Sequence, residues 1–192
     1  MPPLILASTS SYRRALLARL GLPFESLAPG VDEAPLAGET HPDRAVRLAL
    51  AKAVAVAARH PGATVIGSDQ VGVCKGELLD KPGNALRARS QLQWMSAAAA
   101  SFHTAVAVLQ SERGNILQFV DTTTVYLRAL SDAEIERYVA IEQPFDCAGG
   151  FRCEGLGIAL FSRIVSEDPT GLVGLPLIAL ARALRQLGYE LP

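Results

Sequence analysis

The stretch LILASTSSYRRALLARLG, residues 4–21, constrains the fold more than any other part of the chain. Four apolar residues are too few for a helix core and read as a short buried strand. Small hydroxyl residues follow at Ser8, Thr9, Ser10 and Ser11, and Ser10 or Ser11 can cap a helix that carries Leu16, Leu17 and Leu20 on one face. Gly21 then stands where a left-handed helix end is expected. A strand that hands over to a helix in so few residues is the building unit of α/β folds, because the helix must return to cover the sheet.

The rest of the chain repeats this grammar. Residues 24–28 suggest a second strand, and Pro42 opens an alanine-rich helix that reaches Arg59. An apolar strand at residues 63–67 is expected to end at Ser68, Asp69 and Gln70, ahead of a hairpin around Lys75 and Gly76. A helix from Ala85 to Met95 precedes two β-rich segments joined by SERGN, the mark of an antiparallel pair. Ser131 with Glu134 makes a capping box, IALFSRIV is strand-like, and a last helix starts near Pro176. The expectation is one α/β domain over residues 1–192, with a mixed sheet and two lobes around a cleft.

Composition narrows the function classes. With 49% hydrophobic residues the chain can bury a generous core, which argues against disorder. The 18 Lys and Arg against 19 Asp and Glu leave no basic footprint for a nucleic acid polymer. Cys74, Cys147 and Cys153 fit neither a disulfide framework nor a CxxC knuckle and are expected to be reduced, buried small residues. His41, His60 and His103 lack zinc spacing. Ser8 to Ser11 cut short the first apolar run, and Pro176, Arg182 and Arg185 interrupt the last, so neither a signal peptide nor a membrane span is expected. A cytoplasmic protein is the expectation.

Chemistry-bearing residues sit at the strand ends. Backbone N–H groups and the Ser8 and Ser10 hydroxyls at a helix N-terminus favour an anion, and Arg13 adds a fork that can grip phosphate oxygens in pairs. An ordinary capped helix with a solvated arginine face has the same residues, and on this cluster alone both readings stay open. Asp32, Glu33 and Asp69 can hold a divalent metal or activate water, while Lys52 and Lys81 can neutralise phosphate. Each of these alone is equally a turn residue or a solubility charge.

Taken together, LILASTSSYRRALLARLGLPFESLAPGVDE, LALAKA, VIGSDQV, DKP and CAGGFRCEGLGIALFSRIVSEDPTGLVGLPL resemble the Maf-like nucleoside triphosphate pyrophosphatases over essentially the whole chain. The resemblance implies an elongated mixed sheet of the Maf and inosine triphosphatase type, with cleavage between the α- and β-phosphates assisted by a divalent cation, Mg or Mn. It also implies that Ser8, Ser10, Arg13, Lys52 and Lys81 bind phosphate. Asp69 is then the proton acceptor, with Glu33 and Asp69 as metal ligands, and a homodimer is in keeping with the family.

Within the family the chain resembles the bacterial subgroup acting on 7-methyl-GTP, through Tyr12, Gln70 and Glu154. An aromatic face at Tyr12 suits a cationic 7-methylguanine ring, and a carboxylate at Glu154 can accept from the donor edge of guanine. Ser11, Ala105 and Phe145 depart from the usual family pattern without removing a proposed catalytic group. Hydrolysis of dTTP or UTP, and a regulator of cell division that binds nucleotide without catalysis, remain as alternatives.

Overall fold

Leu4–Ala7 forms β1, and the chain turns at once into α1, Ser11–Ala18. The Ser10 side chain accepts from the Arg13 N–H, which satisfies one of the orphan donors of the first helical turn. The computed structural model describes residues 2–192. Further on come β2 at Glu25–Ser26, α2 at His41–Ala57, β3 at Thr64–Cys74 and β4 at Glu77–Leu79. They are followed by α3 at Ala85–Met95, β5 at Ala99–Gln110 and β6 at Asn115–Leu127. The last elements are α4 at Asp132–Glu142, β7 at Phe161–Val165 and α5 at Leu177–Gln186.

The strands make a mixed seven-stranded sheet in the order β2-β1-β3-β5-β6-β7, with β4 beside β3. β1 pairs in parallel with β2 and β3, whereas β4 and β7 pair antiparallel with β3 and β6. β5 and β6 are neighbours joined by only residues 111–114, which is too short for a parallel crossover, so they too are antiparallel. The β3–β4 hairpin turns on Lys75 and Gly76, both left-handed, the backbone that a two-residue hairpin turn matched to strand twist requires. No helix among the described residues is long and apolar enough to cross a membrane.

Several boundaries differ from the sequence expectation. β3 does not end at residue 67 but continues through Ser68, Asp69 and Gln70 to Cys74, because each of those polar side chains finds a partner inside the fold. β2 contracts to two residues, and Leu156–Leu160 forms 3-10 turns ahead of a short β7. All three cysteines are free thiols, but only Cys74 is buried; Cys147 and Cys153 are partly exposed.

The chain divides into two compact units, each described by itself. The first holds residues up to Gln70 together with His103–Asp121 and Asp168–Pro192; the second holds Val71–Phe102 and Thr122–Glu167. In the first unit Leu4, Leu6 and Ile66 pack against Leu16 and Leu17 of α1 and Leu180 and Leu184 of α5. Alternate residues of a strand face opposite sides, so Gly67 turns the other way, toward α2. A Cβ at Gly67 would stand 2.1 Å from the Ala49 carbonyl oxygen and 2.7 Å from the Ala53 nitrogen. This contact seats the helix directly on the strand. In the second unit, α3 and α4 pack together, and Phe151 meets Phe102 and Phe161 edge to face.

Candidate active site

Asp69 projects from β3 on the α2 side and meets Lys52, which rises from α2 one turn from the Gly67 contact. Lys52 Nζ donates to Asp69 Oδ1 at 2.6 Å and stands 2.7 Å from Glu33 Oε1. Lys52 and Asp69 are buried, whereas the Glu33 side chain is 56% exposed on the loop ahead of α2. Burial pushes the Asp69 carboxyl above its ordinary value of 3.8; Lys52 and Arg13 oppose that shift and Glu33 adds to it. A carboxylate held in this way is a better proton acceptor than an exposed one.

The loop carrying Glu33 is tied to α2. Arg44 donates to the Glu33 carbonyl at 3.0 Å, and Arg47 donates to the Ala34 carbonyl at 3.1 Å while pairing with both oxygens of Glu39. The acidic loop is therefore laid along the same helix that supplies Lys52.

The β1–α1 turn is fixed from within. Ser8 is buried, its Oγ accepts from the Ser10 N–H, and its carbonyl accepts from the Ser26 hydroxyl at 2.7 Å. Arg13 Nε donates to the Gly174 carbonyl at 2.9 Å, and Ser68 Oγ donates to the same oxygen at 3.1 Å. Burial lowers the Arg13 pKa, while the nearby charges of Asp69 and Glu33 raise it. An arginine anchored by its Nε and set at a helix N-terminus can present its remaining nitrogens to an anion.

Gln70 projects from β3 opposite to Asp69. Its side-chain nitrogen donates to Thr104 Oγ1 at 2.9 Å and to the Gly171 and Leu172 carbonyls at 3.1 and 3.0 Å. In this state its amide holds the segment after Asp168 in place. Tyr12 is half-buried at the start of α1. Thus Ser8, Ser10, Tyr12, Arg13, Glu33, Lys52, Asp69 and Gln70 all belong to the first unit.

Lys81 and Glu154 belong to the second unit, and both are exposed. The segment bearing Lys81 is braced on either side: the Asp80 carbonyl accepts from the Gln91 side chain, and Gly83 N–H donates to the Phe145 carbonyl at 2.9 Å. Glu154 accepts from the Cys153 thiol at 3.4 Å. Burial and that acidic neighbour push the Cys153 thiol up to about 12, so it stays protonated.

Residues 168–177, which carry no site residue expected from the sequence, organise the first unit. Asp168 is buried; its Oδ1 accepts from the Thr170 N–H and hydroxyl, and its Oδ2 accepts from the Ile178 N–H at 2.6 Å. It thereby caps α5 from outside the helix, a task that Pro176 at the N-cap position cannot perform. The sequence signal was a buried-looking Asp-Pro-Thr-Gly turn, but no local spacing rule ties it to a helix ten residues on.

A divalent cation fits the donor chemistry. One carboxylate oxygen each from Glu33 and Asp69 lies within 2.7 Å of a single point, the Lys52 ammonium. Among the described residues no cluster of three or more His, Cys, Asp or Glu is placed to hold a metal. Magnesium characteristically takes one or two carboxylates and completes its shell with waters and substrate phosphates. Glu33 and Asp69 are the carboxylates that could serve an ion arriving with a polyphosphate, once it shares them with the Lys52 ammonium.

Comparison with known proteins places the chain in a family. The family described as Maf-like protein matches residues 3–187. The protein named 7-methyl-GTP pyrophosphatase of Xanthomonas oryzae pv. oryzae is 58% identical over 192 residues, covering all of both chains. The protein of the same name from Aromatoleum aromaticum is 55% identical over 189 residues, 98% of this chain and 97% of its own. Among solved structures, a HAM1 protein from Coxiella burnetii covers 97% of this chain at a TM-score of 0.53 and 17% identity, with all of its own chain matched. The Staphylococcus aureus Ham1 protein gives 0.52 at 13% identity, also over 97% of this chain and all of its own. Those two structures share the α/β fold. The family match across nearly every residue and the identity to full-length relatives place the chain in the Maf-like protein family.

Proposed function

We propose that this protein hydrolyses 7-methyl-GTP to 7-methyl-GMP and pyrophosphate. The observation that carries the proposal is the 58% identity, over all 192 residues, to a protein named for that activity. The chain's own residues supply a consistent mechanism. Arg13 and Lys52 bind phosphate oxygens, with the α1 N-terminus and the Ser8 and Ser10 hydroxyls completing the cradle.

Asp69 orients a water and takes its proton as the hydroxide joins the nucleoside phosphate. The anhydride bond between the α- and β-phosphates breaks, and its electron pair leaves with pyrophosphate. Glu33 and Asp69 would hold a divalent cation, which would neutralise charge on the polyphosphate. Lys52 sets the protonation and direction of Asp69 through its 2.6 Å contact. Tyr12 offers the aromatic face that suits a methylated, cationic purine. Glu154, considered within its own unit, offers an acceptor for a guanine donor edge, which a pyrimidine lacks. Gln70 acts on selectivity through the segment after Asp168, whose carbonyls it holds.

The test is pyrophosphate release from 7-methyl-GTP, GTP, dTTP, UTP and CTP with Mg²⁺ or Mn²⁺. The expected result is the highest kcat/KM for 7-methyl-GTP. No turnover of any nucleotide by folded protein overturns the enzymatic reading, and a preference for dTTP or UTP overturns the substrate. Release of inorganic phosphate alone would mean cleavage at the γ-phosphate instead.

A further inference from the structure

The last turn of α4 carries a carboxylate that the mechanism above does not use. Glu142 Oε1 accepts from Arg152 Nη1 at 3.0 Å, and Glu142 Oε2 accepts from the Leu156 N–H at 2.7 Å. Its side chain is only 10% exposed. The two contacts fall two residues before and two residues after Glu154. Between them the backbone is closed on itself, with Gly155 N–H donating to the Arg152 carbonyl at 3.2 Å. Tyr138 of the same helix adds a third point, its hydroxyl accepting from the Arg152 N–H at 3.0 Å.

The glycines on this segment record how closely the clamp fits. A Cβ at Gly155 would stand 2.6 and 2.7 Å from the Glu142 oxygens, and a Cβ at Gly157 would stand 2.3 Å from the Arg152 carbonyl oxygen. A side chain at residue 155 would enter the space that the Glu142 carboxylate occupies. Glu154, by contrast, is exposed and accepts from the thiol of its neighbour Cys153. An exposed glutamate has several rotamers and, on a free loop, several backbone positions. Here the backbone freedom is removed and only the side chain is left to choose.

We propose that Glu142 is a positioning residue for base selection: by holding Arg152 and Leu156 it fixes the segment that presents Glu154. This rests on the reading of Glu154 as a base contact. A fixed acceptor discriminates between a guanine donor edge and a pyrimidine better than a mobile one, because less ordering accompanies binding. Glu142 itself touches no substrate in this scheme.

The test is a double-mutant cycle on the full-length protein, measuring kcat/KM for 7-methyl-GTP and for UTP. Glu154→Gln is expected to lower the 7-methyl-GTP preference roughly tenfold, in the range of a lost charged hydrogen bond. Glu142→Ala should lower the same preference, mainly through KM for 7-methyl-GTP. The double variant should fall no further than Glu154→Gln alone, since the clamp acts only through that carboxylate. Gly155→Ala, which leaves Glu142 in place but intrudes on its carboxylate, should shift the preference the same way, so the cycle does not hang on one fragile variant.

An unchanged preference in Glu142→Ala and Gly155→Ala beside a reduced one in Glu154→Gln overturns the proposal, as do additive losses in the double variant. An unchanged preference in Glu154→Gln overturns the role of Glu154 and this proposal with it, while pyrophosphate release by the unmodified protein would still stand.

Discussion

Lys52 Nζ and Asp69 Oδ1 lie 2.6 Å apart, both buried, on two elements that a glycine brings into direct contact. Burial nonetheless keeps the Asp69 carboxyl above its ordinary 3.8, so the folded protein binds a proton there more readily than the unfolded chain. Stability contributed by that proton is present below 3.8 and is lost as pH rises through the folded midpoint. Urea unfolding in a chelator should therefore show wild type losing stability relative to Asp69→Asn as pH is raised through this window. A difference that does not move with pH would mean that Asp69 titrates as an ordinary carboxylate. At neutral pH the same variant should lose about 10²–10⁴ in kcat, the typical span for a general base.

Removing the ammonium leaves a buried carboxylate without its counter-charge. Lys52→Met should cost about 3 kcal/mol in unfolding free energy, because breaking one side of a buried pair strands the other. The exposed Glu33 contact adds little to that figure. Lys52→Met combined with Asp69→Asn should recover part of the loss in the same urea titration.

Gly67→Ala should be among the most disruptive single-methyl changes in the chain. Its Cβ meets backbone atoms of α2 at 2.1 and 2.7 Å, which cannot rotate aside as a side chain can. We expect a loss of about 3 kcal/mol, measured by thermal or urea unfolding, from overpacking alone. The helix shift it forces also moves Lys52 relative to Asp69, so kcat should fall in whatever fraction remains folded.

Gly174 has φ +120°, a backbone region that side-chain-bearing residues rarely adopt. Gly174→Ala should cost about 1–3 kcal/mol in stability, the range for such strain. Its larger signature should be a raised KM for nucleotide and weaker inhibition by pyrophosphate, because the carbonyl that anchors Arg13 moves. Ser68→Ala, which removes the second donor to that carbonyl, should reproduce the KM effect more mildly.

Tyr12→Ala should weaken 7-methyl-GTP binding by about 1–2 kcal/mol more than UTP binding, through lost stacking and cation–π attraction. Titration calorimetry with each nucleotide and the Asp69→Asn protein separates affinity from turnover. Equal losses for both nucleotides would mean that Tyr12 serves packing.

Local chemistry made much of this legible in the sequence. The Ser10 cap, the Ser131 and Glu134 capping box and the Lys75-Gly76 hairpin all depend on contacts within a few residues, and each is where its residue types imply. Asp69 reads in the sequence as chemistry at a strand end, whereas it lies within β3. A rule that polar residues close a strand fails where a lysine seventeen positions earlier and a carbonyl from the C-terminal region supply the partners. Asp168 as a remote helix cap and Glu142 as a clamp were illegible for the same reason: their partners are set by tertiary placement. Gln70 reads as a polar residue near a base and proves to be the strut of a distant loop.

The Gly174 carbonyl accepts from Arg13 and from Ser68, residues 161 and 106 positions away in the chain. Sequence separations of that size close late in folding, after local helices and hairpins have formed. During synthesis the amino-terminal strand, helix and acidic loop emerge long before the segment that anchors the arginine. A nascent chain that has extruded Arg13 and Ser68 thus lacks the carbonyl to which both donate. The arginine's anchor is thus among the last parts of the first unit to be made, although the arginine itself is among the first.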